Sequence, residues 1–167
     1  MTEVLRRYID IALLRGSPAN LPAGTNALGF AVLFALASYV FVGSLDASVG
    51  SALNRGLVDL GLSAALLFFT LAAFGKVPRF QQSFSALCGA SGMVNLAAFP
   101  LMWRLSELPE GVEPGAGFLL PWTLLMVWLV AIQAHVLRST LECRPALALA
   151  LAVGYLVVAF AVFDILF

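Results

Sequence analysis

Charged and strongly polar side chains are so scarce in this chain that each one inside an apolar run is a candidate for chemistry. Arg55 and Asp59 head that group. They are four residues apart, close enough to pair on one helical face, and Asp59 is the only acidic residue set appreciably inside a predicted span. An acid within a bilayer is costly, and it serves either as a proton or cation site or as half of a neutralised pair. With Arg55 one turn away, the expectation is a structural ion pair that reaches water from the end of its helix. A transport role for the carboxylate is the alternative. Asn95 places an amide near mid-depth of the next span, where it glues helices by hydrogen bonding or touches a substrate. His135, the only histidine, falls within a turn of a span end and reads as a headgroup-level or capping residue.

Other chemistry is excluded by what is missing. Cys88 sits mid-span and Cys143 in a connector, so a disulfide between them is not expected. No ligand spacing accompanies His135, and no metal or cofactor site is expected. The connector glutamates Glu107, Glu110 and Glu113 lack calcium-loop spacing and read as a solvated acidic loop. There is no phosphate loop, no HExxH and no nucleophile elbow, so no catalytic residue is assigned and the chain is not expected to be an enzyme. Nine basic residues balance nine acidic ones, which gives no reason to expect nucleic acid as a partner.

The elements that position these residues are membrane helices. Of 167 residues, 62% are apolar and 11% charged, outside the range of ordinary soluble domains. The fold expected is an all-α, polytopic bundle of five transmembrane helices behind an N-terminal amphipathic interfacial helix. Residues 1–24 form the leader and a Pro/Gly breaker, with Pro18 and Pro22 preventing a continuous helix. Residues 25–167 form the membrane domain, with spans at about 26–45, 55–75, 83–103, 118–137 and 145–163. In the leader, Val4, Leu5, Tyr8, Ile9, Ala12 and Leu13 share one face, while Glu3, Arg6, Arg7 and Asp10 lie towards the other. Such a helix is expected to lie in the membrane interface; docking on a partner or on the bundle itself is the alternative.

The third span is the expected centre. Between Arg79 and Arg104 lie 24 residues without a charge. Ser85, Gly89 and Gly92 supply the small-xxx-small spacing that lets helices approach closely. Ala27, Ala31 and Ala35 form a similar stripe in the first span, and Ala146, Ala150 and Gly154 another in the fifth. Basic residues set the orientation. Arg6, Arg7, Arg15, Lys76, Arg79, Arg138 and Arg144 fall on one side, against Arg55 and Arg104 on the other. That bias puts the amino terminus in the cytoplasm and the carboxyl terminus in the periplasm.

Five spans, a short external tail and the sequence LLRGSPANLPAG before the first span together resemble bacterial members of the Yip-like (Ypt-interacting protein) superfamily. The stretch FQQSFSALCGASGMVNLAAFPL resembles that family's third span. The DLYGP and GY signatures of the eukaryotic members are missing, so the resemblance implies a fold and a bacterial inner-membrane location, and no trafficking role. The function expected is a non-catalytic membrane scaffold or accessory subunit. Its partners would be the lipid bilayer and another membrane protein, or a second copy of the chain. The alternative is a small transporter or channel using Asp59 and Asn95 along a polar path.

Overall fold

The computed structural model describes residues 2–22, 24–109 and 114–167. Glu110 and Glu113 lie outside the described residues, as do the side chains of Val4 and Glu3. Six α-helices follow one another among the described residues: α1 (Thr2–Ala12), α2 (Thr25–Gly43), α3 (Val49–Ala73), α4 (Phe80–Ser106), α5 (Ala116–Leu141) and α6 (Pro145–Leu166). The last five are long and apolar enough to cross a membrane. The chain is an all-α protein with the architecture of an integral membrane bundle.

α4 is the axis of that bundle. Residues 83–90 are buried without a break, as are Gly92 and Val94, so its first turns are enclosed on every side. Apart from Phe84 and Leu87 the side chains there are small, which lets neighbouring elements approach closely. A Cβ at Gly92 would lie 2.5 Å from the ring of Phe34 on α2, and Ala31 and Ala35 of α2 are fully buried. The small residues of α2 and α4 let these two helices approach closely.

α1 meets one of the alternatives given for the leader. It docks on the bundle. Tyr8, Ile11 and Ala12 are buried, the Tyr8 hydroxyl lies 2.9 Å from Ser85 Oγ, and Trp128 on α5 donates its indole N–H to the Ala12 carbonyl at 2.7 Å. Leu5, Ile9 and Leu13 remain exposed on a second face. The helix therefore carries one apolar face packed on the bundle and another left exposed, and Arg6 is exposed as well. The breaker that follows is held by Arg7, which donates to the Asn20 carbonyl, and by Gln82, which donates to the Leu21 carbonyl at 3.2 Å.

Two tight turns are clamped together on the face that carries Lys76 and Arg79. Glu142 takes the left-handed conformation (φ 56°) that ends α5, and its carboxylate accepts from Lys76 Nζ at 2.7 Å and Arg79 Nη2 at 2.6 Å. Arg79 also donates to the Thr140 carbonyl at 2.8 Å, while Ser83 Oγ and Thr140 Oγ1 lie 2.8 Å apart. These two cations hold the Glu142 carboxyl well below the usual range, at about 2.

The fifth span departs from expectation. Ala146, Ala150 and Gly154 are exposed, and a Cβ at Gly154 would meet nothing within 4 Å. The buried face carries Ala148, Ala152 and Tyr155 instead. Alanine recurs at 146, 148, 150 and 152, so small-residue spacing marks both faces of α6. The Tyr155 hydroxyl, 2.6 Å from Thr70 Oγ1 on α3, faces the interior because a phenol in lipid would be unpartnered.

Candidate functional site

α3 begins earlier than the sequence reading placed it. Ser48 caps the helix by accepting from the Ser51 amide at 3.2 Å, and the helix runs from Val49 to Ala73. Asp59 is then ten residues in, about 15 Å along the axis, and two residues from the helix midpoint at Gly61. It is a mid-span carboxylate and not a helix-end one.

The expected ion pair is also absent. Arg55 directs its guanidinium over the ring of Phe167, 5.5 Å from the centroid. The ion pairs among the described residues that involve Lys76 and Arg79 both go to Glu142, and none joins Arg55 to Asp59. Asp59 shares a cavity wall with Tyr39 on α2. A ring face attracts a guanidinium, and at the end of α3 this contact replaces the i,i+4 pair.

Asp59 instead faces a chamber enclosed by all five spans. A cavity of about 320 Å³ is lined by Tyr39 of α2, Asp59 and Ser63 of α3, Ser91 and Asn95 of α4, Trp122 and Gln133 of α5, and Tyr155, Phe160 and Phe163 of α6, among others. A second cavity of about 390 Å³ shares Tyr39, Asn95, Trp122, Met126, Leu129 and Phe163 with it and continues to Asp46, Arg55 and Phe167. Through these shared residues the two make one vestibule that extends to the residues at the carboxyl-terminal end of α6. At the inner end, a void of about 20 Å³ lies between Asp59, Ser63, Ser91 and Gln133, closed off by Leu60, Phe84 and Leu87. That is room for about one water molecule. Beyond it, Leu67, Leu71, Val136 and Leu137 are fully buried, so no path continues to the face bearing Lys76 and Arg79.

Polar groups on the wall are unevenly satisfied. Asn95 Nδ2 approaches Ser38 Oγ at 3.5 Å, and Ser38 donates onward to the Ala35 carbonyl at 2.7 Å. Asn95 thus links α4 to α2 and also lines both cavities. Gln133 is different. Its Oε1 is buried without a hydrogen-bond partner, although a buried polar group is nearly always paired. The sequence signal for Gln133 was its lone amide within an apolar span.

The remaining predicted residues lie elsewhere. His135 Nε2 is 2.6 Å from the Gly16 carbonyl, so it caps the leader and takes no part in the chamber. Glu107 accepts from the Trp103 indole at 2.7 Å. No group of three or more His, Cys, Asp or Glu side chains able to hold a metal occurs among the described residues. Comparison with known proteins adds nothing to this geometry: no family model, curated protein or solved structure matches the chain.

Proposed function

We propose that this chain is a small, non-catalytic membrane protein that binds a solute at Asp59 and passes it across the bilayer. One observation carries this. A carboxylate stands at the middle of α3, faces a vestibule and has no cation paired with it among the described residues. A charge so placed is expensive, and function is the usual reason it is kept. The blind inner end argues for a carrier that must rearrange, and against an open channel.

The test is stabilisation of the purified protein by a panel of small cations and neutral solutes, followed by uptake of the stabilising solute into proteoliposomes. Asp59→Asn should abolish uptake while leaving the protein monodisperse and helical. Full uptake by a well-folded Asp59→Asn protein would refute the proposal.

A second function, the scaffold or accessory subunit, draws support from α6. Ala146, Ala150 and Gly154 present an outward small-residue face, a surface on which another helix packs closely. Gly154→Leu should then reduce a native assembly to a smaller species on gel filtration. A bacterial inner-membrane location with the amino terminus in the cytoplasm belongs to the same proposal, supported by the basic-residue bias, and so does the Yip-like resemblance, supported by the residues quoted for it.

A further inference from the structure

Resting on the solute-binding function just proposed, we infer that the chamber takes an amphipathic organic monocation. Its protonated amine would pair with Asp59 and donate to Gln133 Oε1, with its apolar body between Trp122 and Phe163.

Charge comes first. The inner cavity carries a single ionisable acid and no basic side chain; the nearest cation on the vestibule wall, Arg55, lies at the outer mouth and is engaged by Phe167. An anion would meet Asp59 uncompensated, whereas a monocation neutralises it.

Hydrogen-bonding capacity comes second. A carboxylate only accepts, and the orphaned atom of Gln133 is likewise an acceptor. Both line the same small inner void beside the hydroxyls of Ser63 and Ser91, so a ligand that brings its own donors finds two acceptors side by side. An alkylammonium brings three N–H donors on one point charge. A bare metal ion fits less well: among the described residues there is no cluster of ligating side chains, and one carboxylate with amide and hydroxyl oxygens is a thin shell for a divalent cation.

Size and wall chemistry come third. The cavity of about 320 Å³ lies in the range of small-molecule sites, far larger than an ion needs. Trp122, Tyr155, Phe160 and Phe163 line it. Aromatic faces suit both an apolar body and a cationic head.

The experiment uses the full chain in detergent, with 2-phenylethylammonium as the probe, 2-phenylethanol as its neutral counterpart and sodium chloride as an inorganic cation. Binding is read by calorimetry and by quenching of tryptophan fluorescence. The ammonium should bind saturably and the alcohol at least about tenfold more weakly, as expected when charged hydrogen bonds are lost. Asp59→Asn should erase that preference. Gln133→Leu keeps the volume and removes the acceptor, and should weaken the ammonium alone; it carries the test if Asp59→Asn does not fold. Equal binding of amine and alcohol would overturn the monocation inference and leave a solute chamber standing. Sodium binding that requires Asp59, without amine binding, would overturn it in favour of an inorganic cation. Binding of neither probe nor sodium would also overturn it, and wild-type uptake by a folded Asp59→Asn protein would separately remove the function on which it rests.

Discussion

The ring of Tyr8 lies on Gly89, where a Cβ would collide with it. The leader helix reaches the bundle axis only because α4 has no side chain at that position, and the Tyr8 hydroxyl is then held near Ser85 one turn earlier. Adding even a methyl group forces ring and backbone apart. Gly89→Ala should destabilise the protein by about 1–3 kcal/mol, the usual cost of overpacking. Combined with Tyr8→Leu, the loss should fall short of the sum of the two single losses by about 1 kcal/mol, since both changes act on one contact. Denaturant titration in detergent measures the cycle, and strict additivity would show that the leader does not depend on Gly89.

Arg55 and Asp59 have the spacing of an ion pair, yet Arg55 lies over the Phe167 ring and Asp59 faces the cavity. Arg55→Gln and Asp59→Asn should therefore be additive in stability to within about 0.5 kcal/mol. Arg55→Gln alone should cost about 0.5–1 kcal/mol, a cation–π contact near the surface. A double variant substantially more stable than the Asp59→Asn single variant would restore the paired arrangement, because removing one member strands the other.

Acid sensitivity is set on the opposite face. The Glu142 carboxyl is held at about 2 by Lys76 and Arg79, below its ordinary 4.5. A depressed acid stabilises the fold above its ordinary value and loses that contribution as pH falls through the folded value. Between about pH 4.5 and 2 the wild type should lose more stability than Glu142→Gln does. Glu142 is exposed, so the difference should shrink in high salt. A difference unchanged by salt would remove the ion cluster as its cause.

Much of this architecture was legible because bilayer thickness and hydropathy leave few alternatives: five spans, an axial α4 and the Ala31–Ala35 contact all follow from apolar length and small-residue spacing. Interior detail was less legible where two faces carry the same signal. Along α6 alanine occupies both, and only the partner of Tyr155 separates them. Asp59 was placed too shallow because Ser51 and Asn54 look like connector residues, whereas Ser48 caps a helix that includes them. Gln133 showed only as a lone amide in an apolar span; the void it faces is recorded by no periodicity.

The vestibule makes a directional prediction about access. Its mouth lies beside Arg55 and Phe167, while its inner end is sealed by Leu60, Phe84 and Leu87. In α6, Ala159 lines the chamber seven residues before Leu166, about 10 Å inside the helix end. Cys143 sits in the connector on the opposite face, half-buried. In a background with Cys88→Ala and Cys143→Ser, Ala159→Cys should react with a membrane-impermeant thiol reagent added to the Arg55 side. The native Cys143, kept in a parallel protein lacking Cys88, should react only from the Lys76 side, and Leu71→Cys from neither. With the amino terminus in the cytoplasm, spheroplasts should label Ala159→Cys and inverted vesicles Cys143. If both label in the reverse preparations, the orientation is inverted and the chamber opens to the cytoplasm. If Ala159→Cys and Cys143 label from the same side, the inner seal is open in the membrane and the vestibule is a pore.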